Sequence, residues 1–248
     1  MQKKNGATLN PNVSVDCVIF GFDFEKLTVL LIERGQGGNS TGSRMALPGD
    51  LIYDNENLDQ AANRVLNELT GLHDIYMEQV GAFGDPNRLN KIEDQEWLKA
   101  TREKPEERVV TIAYYSLVPI FNYEPHASSF AKNADWFPVH QIQDLAFDHF
   151  DILQAAKEKL RQKLRIQPVG FNLLPEKFTL SQLHKLYESI LDKPLDKRNF
   201  RRKIQKLNIL TNLREKQQGV PHKPSAMYKF NEEKYLELTQ KGFDNFDF

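Results

Sequence analysis

At 248 residues and 28.7 kDa the chain can hold one large domain or two smaller ones, each with its own core. Hydrophobic residues at 40% and charged residues at 27% are ordinary globular values and exclude a fibrous or wholly disordered chain. A single cysteine, Cys17, excludes an internal disulfide and a cysteine-based zinc site and suits a reducing, cytoplasmic setting. No apolar run approaches the ~20 residues of a membrane span. The lysines near the start precede no apolar stretch, so neither a signal peptide nor membrane attachment is expected.

The net charge of -1 conceals a division. Residues 174–248 carry 15 Lys and Arg against 10 Asp and Glu, which leaves 18 against 24 for residues 1–173. An acidic part joined to a basic part is the pattern expected when one of them meets a polyanion.

In chain order, residues 1–12 read as a flexible N-terminus and residues 13–165 as an α+β domain. Two β-branched runs, from Val15 to Phe20 and from Leu27 to Ile32, read as a hairpin. A glycine-rich loop, Gly35 to Ser43, follows. Asn57 caps a predicted helix from Leu58 to about Leu69, with Ala61, Ala62, Val65, Leu66 and Leu69 on one face and Gly71 as its stop. Further strands are predicted at Tyr76–Phe83, Val109–Val118 and Ala134–Val139. The charge-rich segment from Gly84 to Arg108 reads as a surface loop with a helical turn around Trp97. A helix from about Phe150 to Leu164, capped by Asp148, closes the domain.

Residues 166–173 read as a linker and 174–248 as a second domain. Thr179 and Gln182 form a capping box that opens a helix with Leu183, Leu186, Tyr187, Ile190 and Leu191 inward. Asp192–Leu195 breaks that helix, and Asp196 caps a second one to about Leu207. Two short strands, Ile209–Leu213 and Ala226–Phe230, follow around a polar loop. This order is that of a winged helix-turn-helix.

No acid lies between Asp196 and Glu215. At helical spacing Phe200, Ile204 and Leu207 share one face, whereas Arg198, Arg201, Arg202 and Gln205 cluster opposite. A major groove admits one helix, Arg and Gln bond guanine and adenine edges, and lysines neutralise phosphates. The predicted DNA-binding residues are therefore Lys197, Arg198, Asn199, Arg201, Arg202, Gln205 and Lys206, with His222 and Lys223 from the wing. Double-stranded DNA is the expected partner. RNA stays an alternative, weakened by the lack of interleaved aromatics for base stacking.

The stretch from Leu47-Pro48-Gly49-Asp50 through Gly71-Leu72 resembles the Nudix box, G-x5-E-x7-R-E-U-x-E-E-x-G-U with U apolar. Asp50 stands at the first glycine, Glu56 at the first glutamate, Arg64 at the arginine and Glu68 at one helical glutamate. Val65 and Leu69 occupy the other two glutamate positions. In working members those glutamates hold the divalent metal, and magnesium needs a near-octahedral set of oxygens. The box thus predicts a retained fold without hydrolysis: no metal site, no required cofactor and no catalytic residue. Magnesium, with Glu56, Arg64 and Glu68, enters only under the alternative of an active hydrolase of a nucleoside diphosphate derivative such as ADP-ribose.

A Nudix-like mixed β-sheet and helix sandwich followed by a winged helix resembles the Nudix-related bacterial transcription regulators, which include the NAD-biosynthesis repressors. Segments such as Tyr76–Gly84, Glu107–Tyr115, Phe147-Asp148-His149 and Asp196–Arg201 are similar to those of the arabinose-responsive branch of Bacteroidetes. The resemblance implies a homodimer that binds operator DNA and senses a small effector, a pentose or an ADP-ribose-type molecule. It implies a pocket lined from Arg34, Gly49, Asp50, Glu68, Phe83, Arg108, Asp148 and His149. Arg34 and Arg108 are the leading candidates, since arginine forks bond sugar hydroxyls and phosphates. For Phe83, Asp148 and His149 the plainer alternatives are core packing, helix capping and surface exposure.

Overall fold

The computed structural model describes residues 7–35, 45–127, 129–221 and 223–241. The chain divides into two compact units: Met1–Gly21 with Thr28–Val118 and Tyr123–Ala156, and Phe22–Leu27 with Pro119–Asn122 and Lys157–Phe248.

The first unit is built on a mixed seven-stranded sheet. Its centre is β1 (Leu9–Phe22), which runs parallel to β6 (Val110–Leu117), with Val15 opposite Ile112 and Cys17 opposite Tyr114. On the other side of β1 lies β2 (Leu27–Arg34), which pairs antiparallel with β3 (Met45–Ala46) and β7 (Ala131–Pro138). β4 (Gly49–Tyr53) also pairs with β1, and β5 (Glu78–Phe83) flanks β6. A strand buried on both faces reads as a continuous apolar run, and β1 is buried from Ser14 to Phe22. The strand starts at Leu9, inside the segment 1–12 expected to be flexible; residues 1–6 lie outside the described residues.

Helix α1 (Leu58–Thr70) has the predicted ends. Asn57 and Gln60 exchange side-chain to backbone bonds of 2.9 Å each, and Gly71 stops the helix at φ 74°. Left-handed backbone is strained for side chains with a Cβ, so glycine fits here. The stripe Ala61, Ala62, Val65, Leu66 and Leu69 enters the core with Cys17, Ile19 and Tyr114.

The segment 84–108 corrects the sequence reading. The helical turn expected around Trp97 is there, but it is a full helix, α2 (Ile92–Thr101), which buries Asp94, Trp97 and Leu98. Four ion pairs among the described residues fasten the segment: Arg88 to Asp148 and to Asp16, Lys91 to Asp144 and Asp94 to Arg34. The last helix of this unit starts at His149, and α3 (His149–Ile166) runs on past the division at residue 156.

In the second unit, residues 166–173 are not a loose connection, because Val169, Phe171 and Leu173 are buried and Phe171 stacks on Phe230 at 4.2 Å. Helix α4 (Leu180–Leu191) opens with the predicted Thr179–Gln182 box and buries Leu183, Leu186, Tyr187 and Ile190. Asp192 turns the chain at φ 57°, and its carboxylate accepts from Lys157 (3.3 Å) and Arg161 (3.1 Å). Helix α5 (Lys197–Leu207) follows, capped by Asp196. His184 Nε2 meets the Leu195 carbonyl at 2.9 Å and Glu188 accepts from Leu195 N–H, which locks the turn between the helices. The wing is a three-stranded antiparallel sheet ordered β8 (Phe178–Thr179), β10 (Ala226–Phe230), β9 (Leu210–Lys216). Beyond the sequence reading, the unit adds β8 and a terminal helix, α6 (Glu232–Lys241).

Candidate functional site

A polar pocket in the first unit forms where β1, β2, β4, the segment 84–108 and the start of α3 meet. Its floor is Asp16, a carboxylate inside the apolar run of β1. Gly49 lies opposite Asp16 in the β1–β4 register, and a Cβ built there would stand 1.8 Å from Asp16 Oδ1. Only glycine lets the carboxylate lie across the strand. His149 Nδ1 accepts the Leu47 N–H at 2.9 Å, which puts the ring proton on Nε2, 3.3 Å from Asp16 Oδ1. Arg88 bonds both oxygens of Asp148 at 2.7 Å and reaches Asp16 at 3.5 Å. Burial by itself would raise the Asp16 pKa, but His149 and Arg88 outweigh it and hold the carboxyl well below the usual range.

Arg34 lines the same pocket. Its guanidinium lies 5.1 Å from the Trp97 ring centre and 4.9 Å from that of Phe147, and pairs with Asp94 at 2.9 Å. Arg102, at the C-terminal end of α2, also lines the pocket, as does Asp50. The free space between these side chains is about 30 Å3, room for one water.

The structure therefore brings together four of the residues implied by resemblance: Arg34, Gly49, Asp50 and His149. Asp148 stands behind them; both its oxygens bond Arg88, which replaces the expected side-chain cap. Three others fall outside the lining. Arg108 is exposed and donates to the Gly84 carbonyl at 2.8 Å, and Phe83 sits half-buried at the end of β5. Glu68 turns to Arg64. Sequence reasoning missed Asp16, Arg88 and Arg102. A lone acid in a buried strand was a usable signal for Asp16, since a buried charge needs partners; the two arginines sat unmarked in a charge-rich stretch.

The box residues Glu56, Arg64 and Glu68 form a separate cluster. Arg64 forks onto both Glu56 oxygens (2.9 and 2.6 Å), donates to the Leu51 carbonyl (2.9 Å) and Glu68 (3.2 Å), and lies 4.5 Å from the centre of the Tyr53 ring. Glu56 also accepts the Tyr53 N–H at 2.7 Å. The arrangement ties the loop before α1 to the helix. Val65 and Leu69 are buried in the apolar core.

In the second unit α5 has the predicted two faces. Phe200 and Ile204 are buried, Phe200 meeting His184 and Tyr187 edge-on at 5.0 and 5.3 Å. Lys197, Arg198, Arg201, Arg202, Gln205 and Lys206 are exposed, and Asn199 is half-buried, accepting from Arg202 at 2.9 Å. Lys223 is exposed in the wing, while His222 lies outside the described residues. No helix among the described residues is long and apolar enough to cross a membrane.

Comparison with known proteins agrees with both units. The NUDIX domain family matches residues 10–156, and the NrtR DNA-binding winged helix domain matches residues 170–230. Over 225 residues the chain is 31% identical to the ADPR responsive transcriptional repressor NtrR of Acinetobacter baylyi, covering 89% of this chain and 82% of that protein. It is 27% identical over 152 residues to an ADP-ribose pyrophosphatase of Methanocaldococcus jannaschii, covering 61% of this chain and 76% of that one. The crystal structure of Shewanella oneidensis NrtR complexed with a 27mer DNA is similar with a TM-score of 0.69 and 26% identity, covering 90% of this chain and 95% of that one. The chain thus belongs to the NUDIX family in its NrtR-type form, a NUDIX domain followed by an NrtR DNA-binding winged helix domain.

Proposed function

We propose that the chain is a transcriptional repressor that binds operator DNA as a homodimer through α5 and the wing, and that an ADP-ribose-type effector in the NUDIX pocket alters this binding. The observation that carries the reading is the exposed cationic face of α5 on an apolar back, in a domain of the NrtR winged helix family. Its relative in Acinetobacter baylyi is described as ADPR responsive, which supports ADP-ribose over the free pentose of the arabinose-type regulators. An ADP-ribose-type ligand is larger than the about 30 Å3 free between the lining side chains, so its binding calls for their rearrangement. A ligand that favours one arrangement of its site over another is what effector control requires.

Hydrolysis is not part of this reading. Two glutamate positions of the box are core aliphatics, and Glu56 and Glu68 are bound to Arg64, so the donor set does not fit a magnesium ion. No metal or other cofactor is required. The likeness to an ADP-ribose pyrophosphatase bears on the ligand class rather than on turnover.

The test is anisotropy titration of the purified protein on its own upstream DNA, across salt concentrations and with or without ADP-ribose. The expected result is salt-dependent binding that shifts with ADP-ribose. The triple variant Arg198→Ala, Arg201→Ala, Arg202→Ala should flatten the log–log salt dependence by about 0.9 for each phosphate that these arginines neutralise. Unchanged binding by that variant overturns the DNA reading.

A further inference from the structure

The three pocket arginines differ in what they have to bond. Arg34 is paired with Asp94 and enclosed by two rings, and Arg88 is forked onto Asp148. Arg102 has no hydrogen bond or ion pair from its guanidinium to any described residue. Burial depresses its pKa, and Asp50 and Asp16 pull it back. Asp50 faces it across the pocket, beyond the 4.0 Å of an ion pair, with one oxygen accepting the Leu51 N–H at 2.7 Å. A half-buried guanidinium that no described residue bonds, beside a carboxylate with unused acceptor capacity, is a two-ended site: the cation suits a phosphate, the carboxylate a sugar hydroxyl. The box also lacks two of its metal-holding acids, and the remaining Glu56 and Glu68 are paired with Arg64, so the charge of a diphosphate falls to the protein's own cations.

We propose that Arg102, delivered by the segment 84–108, is the anion contact of the effector site and that Asp50 opposite takes a hydroxyl, so that this segment selects a phosphorylated sugar over a free one. The inference rests on the reading of the pocket as an effector site and adds the residue that sets its ligand class. Position explains why α2 ends here: the Arg102 N–H closes the helix on the Leu98 carbonyl at 2.8 Å, and Trp97 and Leu98 anchor the last turn in the core. The Arg102 backbone is thus fixed directly behind the last helical residue, Thr101.

The experiment is calorimetric titration of the full chain with ADP-ribose, ribose 5-phosphate and ribose, for the native protein, Arg102→Gln and Arg102→Lys. Native protein is expected to bind the two phosphorylated ligands and to prefer ribose 5-phosphate to ribose. Arg102→Gln should weaken both phosphorylated ligands about 10- to 100-fold and erase that preference, with Arg102→Lys in between because it keeps the charge but loses the fork. Since the Arg102 guanidinium makes no bond to a described residue, Arg102→Gln should melt no lower than native protein without ligand; a lower melting point assigns it a structural role and overturns the proposal. Equal affinities for ADP-ribose in native protein and Arg102→Gln overturn the role of Arg102 and leave the effector reading standing. Binding of ribose 5-phosphate but not ADP-ribose, lost in Arg102→Gln, overturns the ADP-ribose reading and upholds Arg102. Binding of neither phosphorylated ligand by native protein overturns both.

Discussion

Replacing Arg64 with alanine separates architecture from chemistry in the degenerate box. The side chain holds Glu56 with two bonds, and the two side chains keep only 17% and 11% of their exposure. Removing one partner of a fully buried pair costs about 3–5 kcal/mol, because the other charge is left without compensation. Residual exposure brings this to about 2–3 kcal/mol. The missing bond to the Leu51 carbonyl and the missing Tyr53 ring interaction add about 1 kcal/mol between them after solvent exchange. A destabilisation of about 3 kcal/mol lowers Tm by roughly 6–12 °C for a unit of this size. Glu68→Gln keeps the Glu56 fork and should cost under about 1 kcal/mol. The effect is pH-dependent. Burial by itself would raise the Glu56 pKa, but its bonds to Arg64 and to the Tyr53 N–H lower it below the ordinary 4.5. A carboxyl depressed in the folded state stabilises above its unfolded pKa and loses that contribution as pH falls through the folded value. The gap between native and variant Tm should therefore be full at pH 7 and narrow below about pH 4.5. Calorimetric scans between pH 3.5 and 7.5 measure it, and a loss below about 1 kcal/mol at pH 7 would refute the structural role.

Two further substitutions test the pocket floor and the recognition helix. Gly49→Ala puts a methyl 1.8 Å from Asp16 Oδ1 and 3.0 Å from the Val15 carbonyl, so it should lower stability by about 2–3 kcal/mol in urea unfolding, and native-like stability would show that Asp16 can swing aside. Phe200→Ala empties a fully buried aromatic site and should cost about 3–5 kcal/mol together with DNA binding, whereas Arg201→Ala on the exposed face should stay within about 0.5 kcal/mol of native stability and weaken DNA binding alone; equal stability losses would contradict the two-faced reading of α5.

What was legible in the sequence was local and periodic. The Asn57 and Thr179 capping boxes, the Gly71 stop and the apolar stripes of α1, α4 and α5 depend on residues three or four positions apart, and the structure reproduces them except at the helix ends, where Leu191 and Leu207 are only half-buried. The division of charge likewise located the basic recognition helix without any tertiary information. Within the segment 84–108 only the turn around Trp97 was legible, and the extent of α2 was not, because it has no stripe to read: Ile92 is 76% exposed, while Trp97 and Leu98, adjacent in sequence, supply the buried surface. Beside that buried surface, what holds it is ionic, in four pairs spanning 53 to 72 residues of sequence, which no local pattern can announce. The same cause displaced the site. Resemblance named Arg34, which lines the pocket, but also Arg108 and Glu68, which do not; the other two guanidiniums of the lining come from Arg88 and Arg102. Arg34 and Arg88 are buried charges whose partners reside on other elements. A buried arginine is sustained by long-range pairing, so its role becomes visible only when the fold shows which carboxylate it meets. Arg102, half-buried and bonded to no described carboxylate, is the pocket arginine to which the proposed anion contact would supply a partner.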